Sequence, residues 1–344
     1  MEKAIIVDRL VKNFEITEKK PGFSGAISSV FSSKKKVVHA LRSVSFAIQP
    51  GELVGFIGPN GAGKTTTLKI LSGLLFPTSG FVQVLEHDPW NRKPEFLKQI
   101  SLVMGQKNQL WWDLPAIETF KLNQAIYEVP KKEYEKTLEE LVELLEVKKL
   151  LNIQVRRLSL GQRMRLELIA ALLHKPKALF LDEPTIGLDL VAQQKMRDFI
   201  YDYNRKLGAT ILLTSHNMDD LVDLARRVIV INDGRILFDG AFEELVNRFA
   251  KEKIIKVYLS KEDGMNMIEK IGKVKKIAFP QVILSVPRST TAVAAAELLQ
   301  NFPVSDLTIE EIPIEEVIRK VFRGETGKRS SGIIKSGHLN KKGI

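Results

Sequence analysis

The chain has 344 residues, 44% hydrophobic and 27% charged, a composition that builds one large globular domain with room for a second, smaller one. It contains no cysteine, which excludes disulfides, thiolate metal sites and cysteine nucleophiles, and no run approaches the ~18 consecutive apolar residues that a membrane span needs. The net charge of +11 gathers in part at Lys19, Lys20 and Lys34-Lys35-Lys36 and in the tail at Lys328, Arg329, Lys335, Lys341 and Lys342; lacking interleaved aromatics, this reads as a solvated or membrane-facing surface, and no nucleic-acid partner is expected.

The opening residues, Met1 to Asp8, lack the apolar core of a secretion signal, so cytosolic residence is the expectation. Alternation and β-branched content predict strands at about Ala4–Phe14 and Val37–Ile48, followed by a buried apolar strand at Leu53–Ile57. Residues 15–36, rich in Ser, Gly and Lys, are read as an inserted loop, within which Phe23, Ile27, Val30 and Phe31 could form a short amphipathic turn. From Pro115 to Leu173 the pattern is helical, and Leu138, Leu141, Val142 and Leu145 form a core-facing stripe. Short apolar strands at Ala178–Leu181 and Thr210–Thr214 then flank a helix at about Leu190–Leu207.

This order predicts an α/β fold over residues 1–248: a mixed and parallel sheet, interrupted at about 107–175 by a helical subdomain. Residues 249–323 read as a small α+β domain. Its strand at Ile254–Leu259 is followed by a helix at Met265–Ile271 and strands at Val274–Phe279 and Val282–Val286; a helix at Thr291–Asn301, a strand at Ser305–Glu311 and a helix at Ile314–Phe322 complete a βαββαβ order. The basic, Gly- and Ser-containing residues 324–344 are expected to be a disordered tail.

The strongest motif is Gly58-Pro59-Asn60-Gly61-Ala62-Gly63-Lys64-Thr65, followed by Thr66, a complete G-x-x-x-x-G-K-[ST] loop between a predicted strand and a helix. Gly58, Gly61 and Gly63 let backbone N–H groups, including that of Asn60, converge on phosphate oxygens, and the helix N-terminus adds partial positive charge. Lys64 is placed to bridge the β- and γ-phosphates of a nucleotide, and the Thr65 hydroxyl to ligate Mg²⁺. The apolar strand ending at Leu181 delivers Asp182 and Glu183 to the carboxyl edge of the sheet, where ligands bind. Asp182 suits the metal, and Glu183 can polarise a water in line with the γ-phosphate.

Leu158-Ser159-Leu160-Gly161-Gln162, a little over twenty residues before the Asp-Glu pair, narrows the field. With it the sequence resembles the ABC transporter ATPase family, whose signature reads Leu-Ser-Gly-Gly-Gln. The other hallmarks follow in order: Gln106 after the strand Ser101–Gly105, Gly187-Leu188-Asp189, and His216 after Leu212-Leu213-Thr214-Ser215. The resemblance covers about Ala4–Glu244. It implies ATP and Mg²⁺ as cofactors and a homodimer of cassettes packed head to tail. Ser159, Gly161 and Gln162 of one chain would then close over the nucleotide held by Lys64 of the other. Ser159 opens a helix, so its hydroxyl and the nearby N–H groups suit a γ-phosphate.

The same resemblance implies that Gln106 touches Mg²⁺ and the attacking water, and that His216 hydrogen-bonds the γ-phosphate and holds Glu183 in line. Asp189 helps tie two active sites together. Two positions depart from the family pattern. The third signature residue is Leu160 instead of Gly, and the adenine-stacking aromatic, usually Tyr, maps to Phe14, a stacking worth ~1–3 kcal/mol, with a place in the core as the alternative for that residue.

The run Gln106-Lys107-Asn108-Gln109-Leu110-Trp111-Trp112-Asp113-Leu114-Pro115, with Arg163-Met164-Arg165, Pro89-Trp90 and the insertion, is similar to the ATPase chains of bacterial exporters of the daunorubicin-resistance type. That similarity implies integral membrane permease subunits as partners and a peripheral place at the cytoplasmic face of the membrane. Trp111 and Trp112 become candidates for gripping a permease, with packing into the core as the alternative reading. A soluble ABC ATPase acting on ribosomes or DNA is the rival, and a P-loop kinase or GTPase-like switch leaves residues 158–162 unexplained.

Overall fold

The computed structural model describes residues 2–17, 35–105, 107–215, 218–262 and 265–323. Two compact units result, Met1–Leu245 and Val246–Ile344. Gln106, His216, most of the insertion with Phe23, Ile27, Val30 and Phe31, and the tail at 324–344 lie outside the described residues.

The first unit contains two sheets. Strands β1 (Ile5–Thr17) and β2 (Lys35–Ile48) pair antiparallel. After β3 (Leu53–Ile57), β4 (Ser79–Val84) joins the other edge of β1, giving the order β2-β1-β4. The strands reach into the stretch read from sequence as a loop: Glu15 pairs with Val37, Ile16 with Lys36 and Thr17 with Lys35. The 15–36 loop boundary is therefore corrected inward. The β-branched Ile16, Thr17, Val37 and Val38 favour the pleated backbone and extend the ladder past the polar composition.

The second sheet is six-stranded. It comprises β3 with β5 (Ile100–Met104), β6 (Ala178–Asp182), β7 (Thr210–Thr214), β8 (Arg227–Asn232) and β9 (Arg235–Ala241), in the order β5-β6-β7-β3-β8-β9. All neighbours are parallel except β8 and β9. The five residues of β3 and of β7 are all buried, which explains why these strands read as unbroken apolar runs. Between the two sheets, Leu68, Ile70 and Leu71 of the helix Lys64–Leu71 join Ile5, Val82, Phe56 and Phe180 in one hydrophobic cluster.

The helical stretch breaks into Ala116–Ile126, Lys131–Leu144 and Leu160–Leu172. The breaks have local causes: Pro130 occupies the N-cap of the second helix, and Glu128 and Glu146 take positive φ values of 55° and 54°. The buried stripe of the second helix is Tyr134, Thr137, Leu141 and Val142; Leu145 is buried just beyond it, while Leu138 is half-buried.

The second unit is an antiparallel sheet of β10 (Glu252–Leu259), β11 (Lys273–Ala278), β12 (Gln281–Pro287) and β13 (Val304–Glu311), in the order β11-β12-β10-β13. Alternate residues Ile255, Val257 and Leu259 of β10 and Val282, Leu284 and Val286 of β12 pack with Ala294, Ala295 and Leu298 of the helix Thr291–Asn301. The first connection differs from its reading as a helix at Met265–Ile271. It is a 3₁₀ segment, Met265–Lys270, that buries Ile268. The helix Ile314–Arg323 buries Val317, Ile318 and Val321.

Candidate active site

The parallel strands β5, β6 and β7 end level with one another. Met104, Asp182 and Thr214 are register partners, and Phe56 of β3 pairs with Thr214. Their carboxyl edge, the loop 58–63 and the helix Lys64–Leu71 enclose a cleft of about 450 Å³. Its lining includes Asn60, Gly61, Gly63, Thr65, Thr66, Lys64, Lys69, Lys107, Asp182 and Glu183.

The loop is shaped for a close-approaching anion. Gly63 caps the helix at φ 111°, and a Cβ there would stand 2.8 Å from the Ala40 carbonyl oxygen, so only glycine fits. The helix starts with no side-chain cap, leaving its first N–H groups to an incoming acceptor. Lys64 is buried, and its ammonium donates to the carbonyl oxygens of Gly58 (2.6 Å) and Pro59 (3.2 Å). Burial lowers its pKa from the ordinary lysine value, and the nearby carboxylates of Glu183 and Asp182 oppose that shift.

Across the cleft, the Thr65 hydroxyl donates to Asp182 Oδ2 at 2.7 Å, and the Thr214 hydroxyl donates to Asp182 Oδ1 at 2.7 Å. Two hydroxyls thus converge on one carboxylate. Among the described residues no group of three or more His, Cys, Asp or Glu forms a metal cage. The Thr65–Asp182 pair fits Mg²⁺, which keeps waters and takes substrate phosphate as well as one or two protein ligands.

Glu183 follows with a backbone φ of 54°, a left-handed conformation that costs a non-glycine residue ~1–2 kcal/mol. Its N–H donates to the Thr214 carbonyl and hydroxyl oxygens, both at 3.1 Å. Gly105 passes so close that a Cβ on it would lie 2.2 Å from the Glu183 carbonyl oxygen. Its own N–H donates to the Asp182 carbonyl oxygen at 2.9 Å. The strand leading to Gln106 is thereby stitched to the acidic pair. Gln106 and His216 themselves are not described.

The remaining sequence-derived residues stand apart from this cleft. Ser159 is exposed and caps the helix Leu160–Leu172: its Oγ accepts from Gln162 N at 3.2 Å, while the Gln162 side chain accepts from Ser159 N at 3.0 Å. Leu160, the departure from the family signature, occupies the first helical turn. Its Cδ2 lies 2.6 Å from where a Cβ on Gly187 would be, so its side chain fills the space beside that residue. Asp189 caps the helix Leu190–Leu207 through Ala192 N at 2.8 Å. Phe14 is 37% exposed on β1, no core residue, and Lys12 Nζ sits 4.9 Å from its ring centroid. Trp111 and Trp112 are 53% and 46% exposed, which sets aside a core-packing reading; Arg163 lies over Trp112.

Three contributors escaped the motifs. Lys107 and Lys69 add positive charge to the cleft, and nothing in their spacing marks them. Glu167, buried in the helix Leu160–Leu172, accepts from the backbone N–H of Gln109 at 3.0 Å and of Leu110 at 3.3 Å. It ties that helix to the segment following Gln106. A carboxylate between Leu166 and Leu168 was the available signal, because a buried charge needs partners.

The sheet order, the uncapped glycine-loop helix and the carboxylate edge define a P-loop nucleotide-binding cassette. Residues 41–186 match the family model described as ABC transporter, and residues 251–310 match that of the EvrA-like ABC transporter, C-terminal domain. The ABC transporter ATP-binding protein NatA of Bacillus subtilis (strain 168) is 34% identical over 231 residues, which cover 67% of this chain and 94% of that protein. The Bacitracin transport ATP-binding protein BcrA of Bacillus licheniformis is 33% identical, over 65% of this chain and 71% of its own length. In fold, the chain is similar to a solved ATP binding subunit of an ABC transporter (TM-score 0.59, 23% identity, 72% of this chain and 93% of that one). It is also similar to the dimeric structure of MJ0796, a bacterial ABC transporter cassette (TM-score 0.57, 24% identity, 69% and 98%). The chain belongs to the ABC transporter ATP-binding family, as an ATPase subunit.

Proposed function

We propose that this chain is the separate ATPase subunit of an exporter, pairing with a second copy on binding ATP and driving distinct membrane-embedded permease chains from the cytoplasmic face. The observation that carries this reading is a cleft complete on one side only: Lys64, Thr65, Asp182 and Glu183 line it together within the chain, while Ser159 lies exposed at a helix start outside that lining.

In this reading Lys64 exchanges its loop carbonyl partners for phosphate oxygens, and Gly58, Asn60, Gly61, Gly63 and Thr66 line the triphosphate. Thr65, Asp182 and Gln106 hold Mg²⁺, which supplies neutralising charge to the phosphates when bound. Glu183 takes a proton from the attacking water, with His216 keeping it aligned. Ser159, Gly161 and Gln162 of the second copy close the other side, Asp189 links the two sites, and Phe14 stacks on adenine. Mg²⁺, the cassette dimer, the membrane partners and the outward direction all belong to this proposal. Export rests on the similarity of residues 106–115 and 158–165 to the daunorubicin-resistance type. No helix among the described residues is long and apolar enough to cross a membrane.

The test is reconstitution. The purified chain is mixed with membrane proteins recovered with it from a detergent-solubilised membrane fraction. Stimulated ATP hydrolysis in vesicles containing those proteins supports the reading; recovery of ribosomes or DNA, with hydrolysis stimulated by them, overturns it.

A further inference from the structure

Behind the cleft lies a buried polar cluster that the phosphate-binding motifs do not use. Asp220, on the short helix Met218–Leu224, is 1% exposed. Its Oδ2 accepts from the Thr185 hydroxyl at 2.5 Å and from the Ser215 hydroxyl at 2.9 Å, and its Oδ1 accepts from Arg197 Nη1 at 2.8 Å. Thr185 and Ser215 are 4% and 1% exposed, and Arg197 is 9% exposed on the helix Leu190–Leu207.

Burying an ion pair carries a desolvation penalty that apolar packing would avoid, so such a pair calls for a reason beyond stability. The reason here is its position. Thr185 lies two residues after Glu183, and Ser215 is joined directly to His216 and follows Thr214, the acceptor for the Glu183 N–H. Glu183 sits between these anchors in a left-handed backbone conformation at φ 54°. An unfavourable backbone state of this kind persists only where its surroundings over-determine it. One end of the turn is fixed by Thr214 and the other by Asp220.

We propose that Asp220 is a positioning residue, which holds Glu183 in its strained conformation through Thr185 and fixes the chain entering His216 through Ser215. The inference rests on the reading of Glu183 as the base. Arg197 keeps the carboxylate aimed through its Nη1 hydrogen bond, and a single carboxylate thereby sets the spacing of both loops that flank the γ-phosphate position.

The experiment measures kcat, KM and thermal midpoint for ATP hydrolysis by the full chain carrying Thr185→Val, Thr185→Ser or Ser215→Ala, beside Glu183→Gln. Thr185→Val preserves shape and leaves Asp220 with Ser215 and Arg197, so the fold persists. It is expected to lower kcat about tenfold or more with KM unchanged, the signature of a misplaced reacting group. Thr185→Ser, which returns the hydroxyl, restores kcat, and Ser215→Ala lowers kcat in the same direction. Wild-type kcat in Thr185→Val, or no recovery in Thr185→Ser, overturns the proposal. Normal hydrolysis by Glu183→Gln instead removes the base assignment, so the two failures are distinguishable.

Discussion

Two helix starts in the cassette invite comparison. The helix Lys64–Leu71 begins at Gly63 with no side-chain cap, its first residue Lys64 is buried, and the carboxylates of Asp182 and Glu183 line the same cleft. The helix Leu160–Leu172 begins at Ser159 with both halves of a capping box satisfied, and Ser159 stands exposed. The first is finished only by an anion; the second is stable alone. A Cβ on Gly161 would meet nothing closer than Ala192 Cβ at 3.6 Å, so the chain's own packing does not demand glycine there. In the proposed dimer that open position would face a phosphate held by the second copy. Ser159 Oγ accepts within its own helix and still has a proton to donate, so it can meet a phosphate without giving up the cap.

The largest expected effect attacks the first region. Glu183→Gln removes the proposed base and should cut turnover roughly 10²–10⁴-fold while ATP-bound dimers accumulate, measured by steady-state hydrolysis and by mass in solution. The next attacks the second region. Ser159→Asp keeps a good N-cap, so the thermal midpoint should stay close to wild type, yet the added charge opposes a phosphate and should reduce hydrolysis about tenfold or more. Unchanged hydrolysis would mean that this helix start never meets nucleotide. Phe14→Ala should weaken ATP binding by about tenfold, within the ~1–3 kcal/mol of an aromatic–base stack, and Phe14→Tyr should not; equilibrium titration with nucleotide decides.

The smallest effect concerns how the signature-bearing segment is anchored. Just past that helix, His174 stacks on Tyr127 at 3.8 Å, and its Nε2–H donates to the Ile100 carbonyl oxygen at 3.0 Å. Burial holds its pKa below the ordinary value of about 6.5, against the opposing effect of that hydrogen bond. The unfolded chain therefore takes up a proton that the folded chain resists. The stability tied to neutral His174 is whole above about pH 6.5 and is lost as pH falls toward the folded pKa. Thermal melts from about pH 7.5 to about pH 5.5 should fall more steeply for wild type than for His174→Phe.

The contrast between the two helix starts also explains what could be read in the sequence. The strand Leu53–Ile57, the strand Thr210–Thr214 and the helices Leu190–Leu207 and Thr291–Asn301 were legible to the residue, because continuous burial or a single amphipathic face writes itself into local composition. The glycine loop was legible for the same reason: its chemistry is contiguous. Strands β4, β8 and β9 were not singled out. Much of β4 and β9 is exposed, and they owe their place to pairing with β1 and β8. Met265–Lys270 kept a helical pattern but formed a 3₁₀ segment. Asp220 and Glu167 did not stand out as site residues, because their partners Thr185 and Gln109 lie 35 and 58 residues away along the chain and the apolar neighbours of Glu167 hint only at burial. Only the fold brings such carboxylates to their donors.

The absence of native cysteine permits a direct test of the clamp between two copies. One Glu183→Gln chain carries Ser159→Cys, another carries Asn60→Cys, and the mixture is treated with a short thiol-reactive cross-linker. The account predicts a cross-linked heterodimer that forms with ATP and Mg²⁺ and is lost without nucleotide. An ATP-loaded dimer of the expected mass in which these positions never cross-link would contradict it.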